Sequence, residues 1–385
     1  MSNLTVVPVT TSRQRSQFLE LTWQINRQDP NWIPPLRMNQ KELVGYKRHP
    51  FYARNRIQTF LALRDGRPCG RIAAIVNYAH IERYHDPRGF IGFFESIDDP
   101  EVSRGLFDAA RDWFAQQQLV DFRGPINPSL NYECGLLIDG FDTPPYFMMT
   151  HNPPYYARLF DDYGFRKVQD MFSFWGRADM IQQLDKKLLF VRDEATRRFG
   201  IKVRRMNPRR FRDEVLMFLN LYNQSLGGTW GFTPLSDAEI DHMAASLRHL
   251  IVPELTSILE VEGRPVAGAF TLLNYNPRIR KIDGRLFPFG FAHLLWNRRA
   301  IKQIRMISTN VLPEFQRWGL GLVLMAELVG PVLEWGIEEA EFSWVLESNH
   351  LSYKTLKRGG AQITKHYRIY DYGPNPDRQL PTLTS

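Results

Sequence analysis

Apolar residues recur along this chain in two rhythms. Short runs alternate in steps of two, and longer runs place apolar residues every three or four positions. In the first half, Leu4–Val9, Ile57–Leu63 and Arg71–Asn77 read as strands, and Arg13–Gln28 and Pro100–Gln118 as helices. In the second half, Ile201–Met206, Thr256–Val261, Ala267–Asn274, Ile301–Val311 and Glu341–Leu346 read as strands, and Phe211–Gln224 and Gly319–Trp335 as helices. Strands that alternate with helices predict an α/β layer structure.

The two halves keep one register. Asp65-Gly66-Arg67-Pro68 and Glu262-Gly263-Arg264-Pro265 each sit between two strand-like runs, and 262 − 65 = 197. An acidic-Gly pair between such runs predicts a hairpin turn. Asn77 over Asn274 and Asn152 over Asn349 repeat the offset of 197, with Tyr156 over Tyr353 and Leu159 over Leu356. Landmarks in a single register predict two copies of one fold. The expected division is 1–180, a linker at 181–200, 201–372, and a flexible tail at 373–385 that is rich in Pro and polar residues.

Composition narrows the chemistry. Only two cysteines occur, Cys69 and Cys134, which fits a reducing compartment and no disulfide framework. No C-x-x-C or H-E-x-x-H spacing appears, so no metal is expected. The N-terminus lacks a signal-peptide pattern, and no apolar stretch is long enough to predict a transmembrane helix. The net charge of +8 suits a phosphate-rich ligand or an anionic membrane surface. The basic residues are scattered and no nucleic-acid motif is present, so no nucleic-acid partner is expected.

One junction carries chemistry. Gln316-x-x-Gly319-x-Gly321 lies between an apolar strand-like run and an apolar helix-like run. Such a turn presents orphan amides at a helix N-terminus, where they and the helix dipole favour a pyrophosphate. A glycine turn can also serve geometry alone, so the surrounding frame has to decide. The first half has no such sequence; Gly92-Phe-Phe-Glu-Ser-Ile-Asp-Asp-Pro100 stands there instead. Only the second half is therefore expected to hold a pyrophosphate.

In this frame the chain resembles the GNAT superfamily of N-acyltransferases, over roughly 201–372 in the second half. The resemblance implies tandem GNAT-like domains, each a mixed central sheet flanked by helices. It implies acyl-CoA or acetyl-CoA as donor, its arm held where two parallel strands splay apart. Asn310, Val311 and Leu312 would meet the pantetheine arm. Gln316, Arg317, Trp318, Gly319, Leu320 and Gly321 would meet the pyrophosphate, and Asn349 the cofactor arm. Seven residues after this Asn the superfamily often has a Tyr; here Leu356 stands there. Tyr353, three residues earlier on the same helix, is the substitute candidate for an acid, or a packed aromatic. The base candidates are Glu347, His350 and Glu133, with Glu347 ranked first and Glu133 reaching across from a polar loop of the first half.

A second set of motifs narrows the family. His49-Pro50-Phe51, Phe93-Phe94-Glu95, Gly124-Pro125-x-Asn127-Pro128-Ser129, Glu133-Cys134-Gly135, Trp230-Gly231-Phe232 and Tyr367-Arg-Ile-Tyr370-Asp371 resemble the bacterial ceramide synthase-like family across almost the whole chain. That resemblance implies a cytoplasmic or peripherally inner-membrane-associated N-acyltransferase, and in characterised relatives the acceptor is a lipid amine. The Phe-rich segment from Gly284 to Arg299, bracketed by arginines, reads either as a buried helix or as an interfacial wedge. Three readings are carried: a long-chain N-acyltransferase, an acetyltransferase for a small polar amine or protein, and a non-catalytic acyl-CoA-binding module.

Overall fold

The computed structural model describes residues 3–178, 180 and 186–374; residues 375–385 of the expected tail lie outside them. The strands are β1 (Leu4–Pro8), β2 (Arg56–Arg64), β3 (Arg67–Val76), β4 (Arg88–Ser96), β5 (Asp121–Gly124), β6 (Ile126–Asn127), β7 (Glu133–Cys134), β8 (Leu136–Asp139), β9 (Arg166–Arg177), β10 (Lys202–Arg204), β11 (Ile251–Val261), β12 (Arg264–Leu273), β13 (Gln303–Val311), β14 (Glu339–Leu346) and β15 (Gln362–Tyr372). The helices are α1 (Ser12–Asn26), α2 (Arg37–Leu43), α3 (Tyr78–Tyr84), α4 (Pro100–Gln116), α5 (Tyr156–Tyr163), α6 (Lys186–Phe199), α7 (Phe211–Ser225), α8 (Asp237–Leu247), α9 (Asn276–Lys281), α10 (Gly290–Leu295), α11 (Leu320–Trp335) and α12 (His350–Arg358).

Local rules place these elements. Thr11 and Gln14 form a capping box that starts α1, and Ser236 and Glu239 do the same for α8. Asp65-Gly66 and Glu262-Gly263 are paired left-handed residues, with φ of 49° and 77°, and of 51° and 79°. That is the type I′ geometry which matches the twist of the hairpins β2–β3 and β11–β12. Segment 186–199, read as linker, is a helix whose Phe199 stacks on Trp318 at 3.7 Å.

The sheet runs β1-β2-β3-β4-β5-β15-β9-β14-β13-β12-β11-β10, with β8 also paired to β15. The two halves have exchanged their last strands. β9, from the first half, pairs with β14, and β15, from the second, pairs with β5. Buried charge fastens β15 in place. Asp371 meets Arg123 at 2.6 and 2.8 Å and Arg88 at 2.5 Å, and Arg88 also pairs with Asp86 at 2.9 Å. Asp371 and Arg88 have no exposed surface.

Two apolar layers flank the first half of the sheet, one against α1 and one against α4 and α5. A third cluster joins α7, α8 and α11 to the second half. No helix among the described residues is long and apolar enough to cross a membrane.

Candidate active site

In the second half, the parallel strands β13 and β14 pair only from Gln303–Glu339 to Met306–Phe342. Beyond that rung β13 stays with β12 as far as Val311, and β14 stays with β9 as far as Leu346. The strands therefore diverge beyond this rung. Asn310 is fully buried beside this opening; its Oδ1 accepts from Ser225 Oγ at 3.0 Å and Ser308 Oγ at 2.6 Å, and its Nδ2 has no partner. Val311 is half-buried and Leu312 buried, its amide bonded to the Val266 carbonyl.

A short 3-10 turn, Pro313–Trp318, then leads into α11. Gly319 has φ of 72°, a left-handed conformation that favours glycine, and no side chain caps α11. A Cβ added to Gly321 would meet no protein atom within 4 Å. Gln316 and Arg317 are exposed, whereas Trp318 packs against Phe199 and Phe315. The turn thus places two glycines and an exposed arginine at an uncapped helix start, an arrangement that accepts an anion.

The matching place in the first half is built differently. β4 and β5 pair from Arg88–Asp121 to Phe90–Arg123 and then diverge, but β6 occupies the gap. Asn127 Oδ1 accepts from the Phe93 amide at 2.7 Å, and a Cβ on Gly92 would lie 2.3 Å from the Ile126 carbonyl oxygen. At the tip, Asp99 caps α4 by accepting from the Glu101 amide, with Asp98 beside it. Arg64 pairs with Asp99 and Glu101 at 2.6 and 2.9 Å, and Arg158 pairs with Asp98, so this helix start is capped and its carboxylates already have partners.

A cavity of about 430 Å³ lies on the α1–α2 side of the first half and extends to α8, α9 and α10. Its inner end holds Arg71, Glu95 and Glu133. Glu95 accepts from Thr22 Oγ1, from Asn26 Nδ2 at 3.0 Å and from Tyr156 OH at 2.7 Å, and pairs with Arg71 at 3.5 Å. Glu133 sits beside the Gln40 and Asn127 amides, and burial pushes its carboxyl up from the ordinary value. The adjoining Cys134 thiol is pushed up to about 12 by burial.

One guanidinium joins the cavity to the diverging strands. Arg305, on β13, donates to Ser343 Oγ and O on β14 at 2.7 and 3.0 Å, and to the Phe147 carbonyl at 3.0 Å. Phe147 lines the cavity. Met149, also in the lining, and Trp344, on β14, pack against the same apolar cluster.

The other expected residues lie apart from the cavity. Glu347 is held by Lys167 Nζ at 2.7 Å and by the Asp170 amide at 3.2 Å, and no hydrogen bond or ion pair joins it to Glu133. Tyr353 lies edge-on to Phe172 and Phe174 at 5.5 and 5.3 Å, a packed aromatic with Lys357 over its ring. Asn349 is exposed and caps α12 through Ser352 N, and His350 is exposed as the first residue of that helix.

The sequence reading missed Arg71, Thr22, Gln40 and Arg305 as site residues, and cited Glu95 only as part of a motif. The available signal was a charge at an inward position of an apolar strand, as in Ile72–Val76 after Arg71 and Phe90–Phe94 before Glu95.

The Phe-rich segment is not a buried helix. α10 is six residues long, and Phe287, Phe289 and Trp296 are 74%, 80% and 79% exposed. Leu286, Phe291 and Leu294 line the cavity. Arg298 and Arg299 donate to the His249, Ile251 and Glu334 carbonyls, so part of their donor capacity is spent on the protein itself.

Comparison with known proteins follows the same lines. No family model matches the chain. The chain is 34% identical over 362 residues to Protein YghO of Escherichia coli (strain K12), covering 92% of this chain and 91% of the relative. It is 32% identical over 380 residues to the bacterial ceramide synthase of Caulobacter vibrioides (strain NA1000 / CB15N), covering 96% of this chain and 97% of the relative. Among solved structures, a tandem GNAT protein from the clavulanic acid biosynthesis pathway superposes with a TM-score of 0.56 at 11% identity, covering 96% of this chain and 98% of that one. A probable N-acyltransferase from Enterococcus faecalis V583 superposes with a TM-score of 0.51 at 11% identity, covering 97% of this chain and 73% of that one.

Proposed function

Because the chain belongs to the GNAT-related family of the bacterial ceramide synthase, we propose that it is an acyl-CoA-dependent N-acyltransferase whose acceptor is a lipid amine. The observation that carries this reading is the divergence of β13 from β14 beyond Met306 and Phe342, with the uncapped Gly319–Gly321 turn at its tip. In this reading Gln316, Arg317, Trp318, Gly319, Leu320 and Gly321 receive the pyrophosphate. The Asn310, Val311 and Leu312 backbone pairs with the pantetheine amides, and Asn349 flanks the arm. Residues 1–180 and 201–372 act as two copies of one fold, joined through 181–200.

The amine nitrogen attacks the thioester carbonyl carbon, a C–N bond forms, the C–S bond breaks, and the sulfur leaves as thiolate. The ammonium loses one proton to a base before it attacks, and the nitrogen loses a second as the C–S bond breaks, which the departing thiolate takes up. Glu133 takes the role of base, because desolvation makes its carboxylate the stronger base. Glu347, paired with Lys167 at 2.7 Å, is the alternate base, and Tyr353 is the candidate acid for the thiolate.

The exposed Phe287, Phe289 and Trp296, with Arg285 65% exposed beside them, support peripheral contact with an anionic membrane on its cytoplasmic face. The test is product detection by mass spectrometry with purified protein, a range of acyl-CoAs and a sphingoid-base acceptor in mixed micelles. A long-chain amide is the expected product. Amides formed only from acetyl-CoA and polar amines would replace the lipid reading, and coenzyme A binding with no amide from any acceptor would remove the transferase reading.

A further inference from the structure

The cavity of about 430 Å³ beside α1 and α2 stands outside the coenzyme A arrangement, and its two ends differ in chemistry. The outer end is apolar, walled by Trp32, Leu36, Phe147, Leu286, Phe291 and Leu294. The inner end carries Arg71 against Glu95 and Glu133, a sum of −1 when both carboxylates are ionised. The other charged lining groups have partners of their own: Glu42 pairs with Lys47 and His242, and His151 pairs with Asp29.

Glu95 has a full set of donors, from Thr22, Asn26 and Tyr156 together with Arg71. Glu133 has only neutral amides, from Gln40 and Asn127, and a share of Arg71. Glu133 also keeps accessible surface where it faces the cavity. Arg71, 3% exposed, has an Nε with no partner. A desolvated carboxylate in excess over its cation is stabilised by one more positive charge. The apolar wall is stabilised by hydrocarbon.

We infer that this cavity is the acceptor site and takes a primary amine on a long hydrocarbon chain, the ammonium against Glu133 and the chain along Trp32, Leu36 and Phe291. The assignment rests on the acyl transfer proposed above and adds where the acceptor sits. The chain enters where Phe287, Phe289 and Trp296 stand exposed, because Leu286, Phe291 and Leu294 of the same segment line the cavity. The ammonium passes one proton to the Glu133 carboxylate and is left with the lone pair that attacks. Arg305, which bonds Ser343 on the diverging strand, also interacts electrostatically with Cys134 beside Glu133, so the Glu133 end of the cavity is the one toward the thioester.

Trp32 supplies a reporter that needs no acyl-CoA. A bromine-labelled long-chain alkylamine should quench tryptophan fluorescence saturably, and Trp32→Phe should remove most of that quenching. Glu133→Gln, and separately the matching bromoalkanol with wild-type protein, should each bind at least tenfold more weakly. Met149→Trp, which narrows the cavity, should weaken binding of the amine whatever happens at Glu133. Amine and alcohol binding equally, or quenching unchanged in Trp32→Phe, would overturn the inference. Amide synthesis without saturable quenching would leave the transferase reading standing and remove this site. Saturable quenching with no amide from any acyl-CoA would keep the site and remove the transferase reading.

Discussion

The first half, where β4 and β5 diverge, and the second, where β13 and β14 diverge, began from one plan and ended with different chemistry. Each has a parallel pair that separates after three or four rungs and a helix starting at the tip. In the second half the strand ladder ends at Met306 and Phe342 with no strand inserted, and α11 starts at Gly319 with no capping side chain. In the first half β6 fills the gap, and Asp99 caps α4 next to Asp98 and Glu101. The two helix starts thus differ in capping: the first amides of α4 have a side-chain partner and those of α11 have none. On its α1–α2 side the first half has a cavity in which Arg71, Glu95 and Glu133 lie beside apolar lining residues.

The largest effect should come from the charge cluster that fastens the exchanged strand. Asp371→Asn leaves Arg123 buried without its carboxylate and Arg88 with Asp86 alone, which should cost about 3–5 kcal/mol in urea unfolding. The halves should still unfold in one transition, because each is completed by the other's last strand. Two separate transitions in the wild-type protein would break the picture of halves coupled by exchange.

Coenzyme A binding separates the two helix starts. Gly319→Glu should weaken it at least a hundredfold by calorimetry, because it puts a side chain and a negative charge at a left-handed glycine. Gly321→Ala meets no protein atom, so it should hold the melting temperature and lose about tenfold in affinity, about 1.4 kcal/mol. Asp99→Asn, at the matching place in the first half, should leave coenzyme A affinity within about twofold. Equal losses at both helix starts would erase the distinction between the halves.

The smallest effect sharpens the same comparison with two carboxylates. Glu347→Gln should lower turnover only about two- to threefold, since its carboxylate is already held by Lys167. Glu133→Gln should lower it far more and change the pH profile. Glu133 must be ionised to accept a proton, and burial raises its pKa above the ordinary value near 4.5. Activity should therefore fall as pH drops through that raised value, and the acid limb should vanish in Glu133→Gln. A limb unchanged in Glu133→Gln but lost in Glu347→Gln would move the base to the second half.

Much of this was legible in the chain. The alternation of strand and helix, the acidic-Gly hairpins 197 residues apart and the Gln316–Gly321 turn each depend on neighbours in sequence. Their geometry is local: a residue's face follows from its period, and a left-handed turn follows from its glycine. The Phe-rich segment stayed open between two readings because hydropathy does not say whether an apolar run has a partner. The structure leaves Phe287 and Phe289 exposed and turns Leu286 and Leu294 inward.

What the sequence by itself determined about this protein is the repertoire of elements, the doubling of the plan and which copy carries the Gln316–Gly321 turn. Only the tertiary structure decided that β9 and β15 change places, that β6 fills one gap, and that Arg71, Glu95 and Glu133 meet under an apolar wall. The physical reason is that a strand's period of two reports which face a side chain takes but not which strand lies beside it. Buried charges likewise find partners across the fold, as Asp371 does with Arg123 at 248 residues' separation, where no local pattern reaches.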